Sequence, residues 1–233
     1  MKPLAATFAA LLTLSPMPLA AQSGPVVVEL FTSQGCSSCP PADALLAELS
    51  GRDDVIPLAL HVDYWDYIGW KDEFGSPDHS KRQKSYARAA GRKTVYTPQM
   101  IVNGHDDVVG ARAMELAEII AAHKSKPRQV EIEADRSGDA LLVRIAPTGA
   151  ALNGPLSINL VRFLPMRSSR ITSGENAGLE LEYTNIVDGW SVLGEWNGRE
   201  PVEIRATLEG EHPAAVLVQQ PGPGAIVAAA LAE

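Results

Sequence analysis

Two kinds of hydrophobic pattern divide the chain. Up to about residue 123, short runs of Val, Ile and Leu alternate with stretches whose apolar residues recur at helical spacing. In chain order, the pattern predicts a strand, a helix, a strand, a helix, two strands and a closing helix, at residues 26–32, 42–49, 55–62, 80–90, 99–103, 108–109 and 112–123. Alternation of this kind is typical of an α/β layer.

After Pro127 the pattern changes to period-two and short apolar runs. Turn residues such as Asn153-Gly154-Pro155 and Asp188-Gly189 separate these runs. The predicted strands are residues 129–134, 140–146, 156–164, 179–187, 202–208, 215–218 and 225–231. Seven short strands with intervening turns predict an all-β, sandwich-like C-terminal domain. The alanine-rich last segment is also compatible with a helix, although Ile226 and Val227 favour a strand.

The first residues have the pattern of an export signal. Lys2 precedes the apolar stretch 4–14, and Leu19-Ala20-Ala21 resembles a small-residue cleavage site. We therefore expect a signal peptide at residues 1–21 and a periplasmic or secreted protein. An uncleaved anchor is the alternative, but the stretch is short for a membrane span. The expected domains are then residues 24–126 and 127–233.

Charge limits the possible partners. The chain has 20 Lys and Arg against 28 Asp and Glu, a formal net charge of -8. Nucleic-acid binding depends on clustered basic residues, so we expect no nucleic-acid partner. We also expect no stable membrane insertion. The basic run that starts Lys81-Arg82-Gln83-Lys84 predicts a solvated helix surface, or alternatively a docking patch for an acidic partner.

The candidate chemistry lies in the only two cysteines, Cys36 and Cys39, which form Cys-Ser-Ser-Cys after an apolar strand. Two thiols at this spacing can close and reopen a disulfide. A helix that starts near Cys39, with Ser38 as N-cap, would direct its free amides toward the thiols and favour the thiolate. We expect Cys36 to be the more exposed nucleophile and Cys39 the resolving thiol.

A second clue is Thr97-Pro98, which leads into the predicted strand 99–103. A proline at this place must avoid the hydrogen-bond ladder, and a cis peptide bond is one way to do so. The order of elements around it resembles the thioredoxin fold. This resemblance implies that Pro98 packs beside the disulfide and that the backbone of Thr97 pairs with a substrate chain. The expected fold is an α/β thioredoxin-like domain followed by an all-β sandwich-like domain.

A narrower resemblance covers the chain from about Val26 to its end. Several phrases are similar to those of a bacterial family of secreted, thioredoxin-like proteins catalogued as a domain of unknown function: VVVELFTSQGCSSCPPAD, HVDYWDYIGWKDEFGSP, KRQKSYARAAG, VYTPQMIVNGHDDVVG and GENAG. The resemblance implies Cys36 and Cys39 as the redox pair, with Thr97 and Pro98 beside them. Leu179 departs from the basic residue that usually follows GENAG.

The segment HVDYWDYIGW concentrates Tyr and Trp, including Tyr64 and Trp65, after a predicted strand. These aromatics would provide an apolar platform for a substrate chain, or alternatively they cap the core or the contact between domains. We retain Tyr64 and Trp65 as candidate substrate-binding residues.

The sequence thus predicts an exported thiol-disulfide oxidoreductase that acts on protein or small thiols and disulfides, without a cofactor and with an unknown redox partner. One alternative is a Cu(I) carrier, in which His61, His79 or His105 completes a site with the two thiolates. The other is a binding protein with a structural disulfide. A zinc site is not expected, because the chain has no second cysteine pair.

Overall fold

The computed structural model describes residues 24–149, 152 and 154–232. The predicted signal peptide at residues 1–21 lies outside this part. The protein is mostly β, with 44% strand and 18% helix. The helices are α1 (Pro40–Leu49), α2 (Pro77–Ala89) and α3 (Ala113–Lys124), with a 3-10 turn at Asp66–Ile68. The strands are β1 (Val26–Thr32), β2 (Val55–His61), β3 (Gln99–Val102), β4 (Asp106–Val109), β5 (Val130–Ser137), β6 (Ala140–Pro147), β7 (Leu156–Arg170), β8 (Glu180–Trp196), β9 (Val202–Thr207), β10 (Ala214–Gln219) and β11 (Ile226–Leu231).

One mixed sheet of eight strands runs through both halves of the described chain, in the order β11-β10-β7-β8-β2-β1-β3-β4. β1 and β2 are parallel, and β8 joins the edge of β2 in parallel with Ala59 opposite Ile186. A second sheet has the order β5-β6-β9. It packs on the β7–β10 region through an apolar cluster that includes Val130, Val143 and Val216.

The predicted fold class is therefore wrong. An α/β thioredoxin-like domain with its own sheet, followed by a separate all-β sandwich, would leave β2 at a sheet edge. All seven residues of β2 are buried, and its outer edge pairs with β8 from the second half. An apolar strand with an open edge would be prone to association, and pairing with β8 removes that edge. The predicted boundary at residues 126 and 127 falls between α3 and β5 and stays a prediction.

The apolar core binds the two halves together. One cluster lies between the first four strands and the helices α1 and α3, with Leu30, Leu46 and Met100 among its members. A second cluster combines Phe31 and Leu58 from the first half with residues such as Phe163 and Leu217 from the second. Both faces of the central strands are thus covered, which explains their continuous hydrophobic runs.

The β7–β8 hairpin is the element that most affects the candidate site. Its strands have 15 and 17 residues, whereas the sequence predicted shorter strands and a turn at Asp188-Gly189. In the structure β8 continues through this point, because Arg162 pairs with Gly189 and Phe163 with Val187, so that Asp188 is the extra residue of a β-bulge. The hairpin extends past the sheet as a two-stranded distal arm (residues 165–184), which ends in a cap loop (residues 171–179).

Candidate functional site

Cys36 and Cys39 are joined by a disulfide in the loop between β1 and α1, with their Cα atoms 5.4 Å apart. Cys39 is the N-cap of α1, in place of the predicted Ser38, and its side chain makes no capping hydrogen bond. Its amide donates to the carbonyl of Cys36 at 3.1 Å, and its carbonyl accepts from the amides of Ala42 and Asp43 at 2.8 and 3.1 Å. Pro40 occupies the first turn, where a missing N–H leaves no bond unmade. The disulfide therefore lies at the positive end of a helix.

Both cysteines are buried. Cys36 is 3% exposed and Cys39 has no exposed surface. Cys36 is the more exposed of the two, as expected, but neither residue is open to solvent. The cover comes from two segments that are distant in sequence.

The first cover is the aromatic segment after β2. At Gly35, a side-chain Cβ would lie 3.3 Å from the Cβ of Trp65 and 3.2 Å from Cδ1 of Ile68, so the loop packs tightly against these residues and a larger residue would require them to shift. The indole of Trp65 donates to the hydroxyl of Thr97 at 2.7 Å. Trp65 thus connects the cysteine loop to Thr97-Pro98, whose peptide bond is cis.

The two candidate substrate-binding aromatics are packing residues in this state. Tyr64 and Trp65 pack partly buried against the core cluster shared by both halves of the chain. The hydroxyl of Tyr64 donates to Gln83 of α2 at 3.0 Å, and burial raises the pKa of Tyr64 to about 12. The exposed aromatic of this segment is Tyr67, which is 80% exposed and stacks on Trp65. The sequence predicted an aromatic surface but not which ring faces solvent.

The second cover is the cap loop. The side-chain amide of Asn176 donates to the carbonyls of Gln34 and Cys36, at 2.9 and 3.1 Å. At the rim, Ser37 donates to the carboxylate of Glu175 at 2.7 Å. Neither Glu175 nor Asn176 was predicted as a site residue from the sequence. The only available signal was the phrase GENAG, which by itself predicts a turn.

Gln34 ties the cysteine loop to both covers. Its side-chain nitrogen donates to the hydroxyl of Ser169 on β7 at 3.0 Å, and its side-chain oxygen accepts from the indole of Trp70 at 2.8 Å. Its backbone amide donates to Asp72 at 2.8 Å. All of the polar atoms of this buried side chain therefore serve to position the loop that carries Cys36.

A buried polar cluster lies next to the first turn of α1. His61 has no exposed surface, and its Nδ1 lies 2.7 Å from a carboxylate oxygen of Asp72. Its ring packs edge-on against Tyr183, with the ring centres 4.8 Å apart. Burial of Asp72 opposes ionisation, but the charge of His61 and hydrogen bonds from its imidazole and from the amides of Gln34 and Phe74 outweigh it and lower the pKa of Asp72.

Asp43 is the unusual member of this cluster. It lies four residues after Cys39, and burial raises its pKa to about 7, against a partial opposing effect of His61. Although Thr32 is a neighbour, neither carboxylate oxygen of Asp43 has a hydrogen-bond partner among the described residues. The same holds for three further buried atoms near Asp43, which are Thr32 Oγ1, His61 Nε2 and the hydroxyl of Tyr183. A buried acid with a raised pKa thus lies one helical turn after Cys39.

The histidines considered for Cu(I) have other partners. His79 bonds through Nδ1 to the carbonyl of His61 at 2.8 Å, and His105 pairs with Asp106. Within the part of the chain that the structure describes, no group of three or more His, Cys, Asp or Glu side chains is arranged to hold a metal ion. The copper alternative stays a prediction. No helix within the described ranges has the length and apolar character needed to cross a membrane.

The basic run of α2 is in part internal. Arg82 makes two contacts with the buried carboxylate of Glu29, at 2.5 and 3.1 Å, and its guanidinium lies over the ring of Trp190. Tyr86 also donates to Glu29, at 2.6 Å. The phrase KRQKSYARAAG therefore has a structural role, which joins α2 to β1 and to the β8 side of the sheet.

Comparison with known proteins identifies a family and similar solved structures. A family model described as "Protein of unknown function (DUF1223)" matches residues 27–219, which include the disulfide and the cap loop. No curated protein matches the chain. A crystal structure of a protein from Agrobacterium tumefaciens is 34% identical with a TM-score of 0.78, over 91% of this chain and 95% of that chain. A hypothetical protein from Pyrococcus horikoshii OT3 is 13% identical with a TM-score of 0.24, over 47% of this chain and 90% of that chain, which carries no structural argument.

Proposed function

The chain belongs to the DUF1223 family of proteins of unknown function, and we propose that it is an exported thiol-disulfide oxidoreductase that acts through Cys36 and Cys39. The observation that carries the proposal is the disulfide between these residues at the N-terminus of α1. Helix amides and the helix dipole stabilise a thiolate at this position, and a thiolate is the reactive species in disulfide exchange. Membership of the wider thioredoxin superfamily stays a prediction.

As a reductant, the pair would act in two steps. The Cys36 thiolate attacks one sulfur of a substrate disulfide, forms a mixed disulfide and releases the first substrate thiolate. The Cys39 thiolate then attacks the sulfur of Cys36, which closes the Cys36–Cys39 disulfide and releases the second substrate thiolate. Two electrons pass from the cysteine pair to the substrate, and the two thiolates released take up protons.

As an oxidant, the closed pair would run the same steps in reverse. A thiolate of a dithiol substrate attacks the sulfur of Cys36 and displaces Cys39 as a thiolate. The second substrate thiolate then attacks the substrate sulfur of the mixed disulfide and releases Cys36. The substrate becomes a disulfide and the pair becomes a dithiol. The direction depends on the reduction potential of the pair relative to its partner.

A purely structural disulfide is the weaker reading of the same geometry. In the chain-entropy model, cross-linking a loop of four residues stabilises a protein by only about 2 kcal/mol, less than the bridging of long loops. The loop is in addition already held by Gln34, Asn176 and Trp65. The proximity of a buried acid with a pKa of about 7 also fits a site at which thiols gain and lose protons.

The proposal predicts that the purified protein, without residues 1–21, accelerates the reduction of a protein disulfide by dithiothreitol. Cys36→Ser removes the attacking sulfur, so we expect its rate to fall to that of dithiothreitol alone. Ser38→Ala is the matched control, because Ser38 is exposed between the cysteines and leaves both thiols in place. Turnover by Cys36→Ser equal to that of the unaltered protein would exclude the proposed chemistry.

Two further measurements address the direction of electron transfer and the compartment in which the protein is located. Equilibration with glutathione buffers gives the reduction potential of the Cys36–Cys39 pair, and a value near that of the surrounding thiol pool indicates reversible use. A pair that stays oxidised at every glutathione ratio, in both the native and the unfolded protein, would indicate a structural disulfide. Cell fractionation tests export.

A further inference from the structure

We infer that the cap loop is the specificity element of this site, and that Asn176 is the positioning residue that holds it closed over the disulfide. The inference rests on the proposed function, because it states which thiols and disulfides the pair can meet. With the cap loop in place, Cys36 is 3% exposed, so a substrate has almost no open surface from which to reach its sulfur. Exchange then requires the loop to move.

Asn176 is the inner contact. It is one of two buried side chains of the cap loop, together with Ile171, while most of the others are exposed. Its two side-chain N–H groups donate to the carbonyls of Gln34 and Cys36, on either side of Gly35. The side chain thus fastens the cap loop directly to the backbone of the reactive cysteine. An amide nitrogen has two donors, so both are used here.

The outer contacts are weaker because they face solvent. Ser37 donates to Glu175, and the hydroxyl of Ser173 donates to the carbonyl of Gly69 at 2.6 Å. Hydrogen bonds at an exposed rim compete with water and add little to closure. The buried amide of Asn176 is therefore the contact whose loss changes the closed population most.

The cap loop can move as a unit. Within it, the amide of Gly178 donates to the carbonyl of Ile171 at 2.8 Å, and the amide of Ile171 donates to the carbonyl of Leu179 at 2.9 Å. These bonds keep the loop compact while it shifts. The strands that carry it, residues 165–170 and 180–184, pair with each other in the described chain. Buried contacts of Ser169 with Gln34 and of Tyr183 with His61 hold these strands in place, so the movement takes place in the cap loop itself.

The aromatic segment on the other side of the disulfide cannot move in the same way. Trp65 packs against the main core cluster and is fixed to Thr97, and Ile68 lies against the same loop. Opening therefore creates a slot between the aromatic segment and the cap loop. Such a slot admits a small thiol or disulfide, or one extended chain segment, and excludes the surface of a folded protein. The substrate class that fits is low-molecular-weight thiols and locally unfolded polypeptides.

The test measures access to the disulfide without catalysis. The native protein is mixed with the small reductant tris(2-carboxyethyl)phosphine, and free thiols are trapped and counted by mass spectrometry. We expect Asn176→Ala to accelerate reduction by about 30-fold, the change expected when two buried hydrogen bonds of ordinary net strength are lost. When both proteins are unfolded, the wild type and Asn176→Ala should be reduced at equal rates.

Asn159→Ala is the matched control. Asn159 lies on β7 within the main sheet, has the same 4% exposure as Asn176, and its side-chain oxygen accepts from Trp190. Its loss lowers global stability without touching the cap loop, so its reduction rate should stay at the wild-type value under native conditions. If Asn176→Ala reacts no faster than Asn159→Ala, the inference is overturned. Should Asn176→Ala fail to fold, Asn176→Asp provides the same test, because it keeps the shape of the side chain and removes both N–H donors.

Substrate size is tested with the dithiothreitol assay. Three substrates are compared, which are glutathione disulfide, an unfolded peptide that contains a disulfide, and a folded protein that contains the disulfide of that peptide. We expect the wild-type protein to reduce the first two at least about tenfold faster than the third. Asn176→Ala should reduce this ratio. Equal wild-type rates on all three would contradict the specificity role. Absence of turnover in all cases, with the access rates as expected, would contradict the proposed function alone and leave the cap loop as a gate.

Discussion

At the scale of single residues, Asp43 has the most consequential environment. Its carboxyl group is buried beside the first turn of α1, without a hydrogen-bond partner among the described residues, and its pKa is about 7 rather than 3.8. The folded protein therefore binds a proton that the unfolded chain releases between these values. Since the folded-state pKa is the higher one, the associated stability is complete below pH 3.8 and is lost as the pH rises through 7.

This linkage predicts the effect of Asp43→Asn. Between pH 5 and pH 8 the wild-type free energy of unfolding should fall by about 2 to 3 kcal/mol more than that of the variant, because only the wild type must ionise a buried carboxyl. Urea unfolding at the two pH values measures the difference. Parallel pH profiles for the two proteins would show that Asp43 does not carry the proton.

The residues of the site differ in how far the sequence reveals them. Cys36 and Cys39 are only three positions apart in the chain and carry distinctive chemistry, so their pairing could be predicted. Thr97 and Trp65 were recognisable as candidates, but their mutual hydrogen bond was not. Asn176 could not be found, because its partners lie 140 and 142 residues away and an asparagine in a glycine-rich turn already has a local explanation.

At the scale of secondary-structure elements, α2 illustrates how a surface pattern can conceal a buried contact. Four of its residues form a basic run, which predicted a solvated face, yet Arg82 extends inward to Glu29 on β1. Arg82 shares this site with Tyr86 and Gln219, so one ionic group connects a helix with two strands. The remaining exposed charges of the run, such as Lys81, fit the predicted surface.

Because Arg82 is paired internally and Lys81 is exposed, we expect substitutions at these two positions of α2 to change stability by different amounts. Arg82→Ala should lower the free energy of unfolding by about 3 to 5 kcal/mol, since it leaves the carboxylate of Glu29 buried without its cation. Lys81→Ala, one residue earlier, removes only an exposed pair with Asp78 and should change stability by no more than about 0.5 kcal/mol. Chemical denaturation of both variants is the measurement. Similar values for both would mean that Arg82 is as dispensable as a surface residue.

The positions of the elements were largely predictable, whereas their partners were not. The strand predicted at residues 26–32 coincides with β1, because a run of buried residues is a local signal. Strand order depends on contacts between distant segments, and the pairing of β2 with β8 leaves no mark in either strand. At Asp188-Gly189 the sequence wrongly predicted a turn. Residues that favour a turn also favour a bulge, and in the structure these two residues lie at a bulge in a continuous strand.

At the scale of the whole molecule, the continuous sheet predicts that the first half does not fold without the second. The core cluster shared by the two halves contains Val27, Phe31, Ile56, Leu58, Leu60, Val62, Tyr86 and Ile101 from the first, and Val161, Phe163, Val187, Ala215, Leu217, Ile226 and Ala229 from the second. Exposing one large apolar side chain of this cluster to water lowers the free energy of unfolding by about 1.5 to 3 kcal/mol. Several such losses exceed the net stability of about 5 to 15 kcal/mol of a typical protein.

We therefore expect a fragment of residues 24–126 to show no cooperative unfolding transition, although it contains the whole Cys36–Cys39 motif. Far-ultraviolet circular dichroism during thermal unfolding, compared with residues 24–232, measures this. Mixing it with a fragment of residues 127–232 should restore a transition, because β8 then covers the edge of β2 and the shared cluster closes. A cooperative transition of the first fragment alone would instead support two independently folding domains joined at residues 126 and 127. The same mixture tests the site, because only reassociated fragments regain the cap loop and with it the protection of the disulfide from reductant.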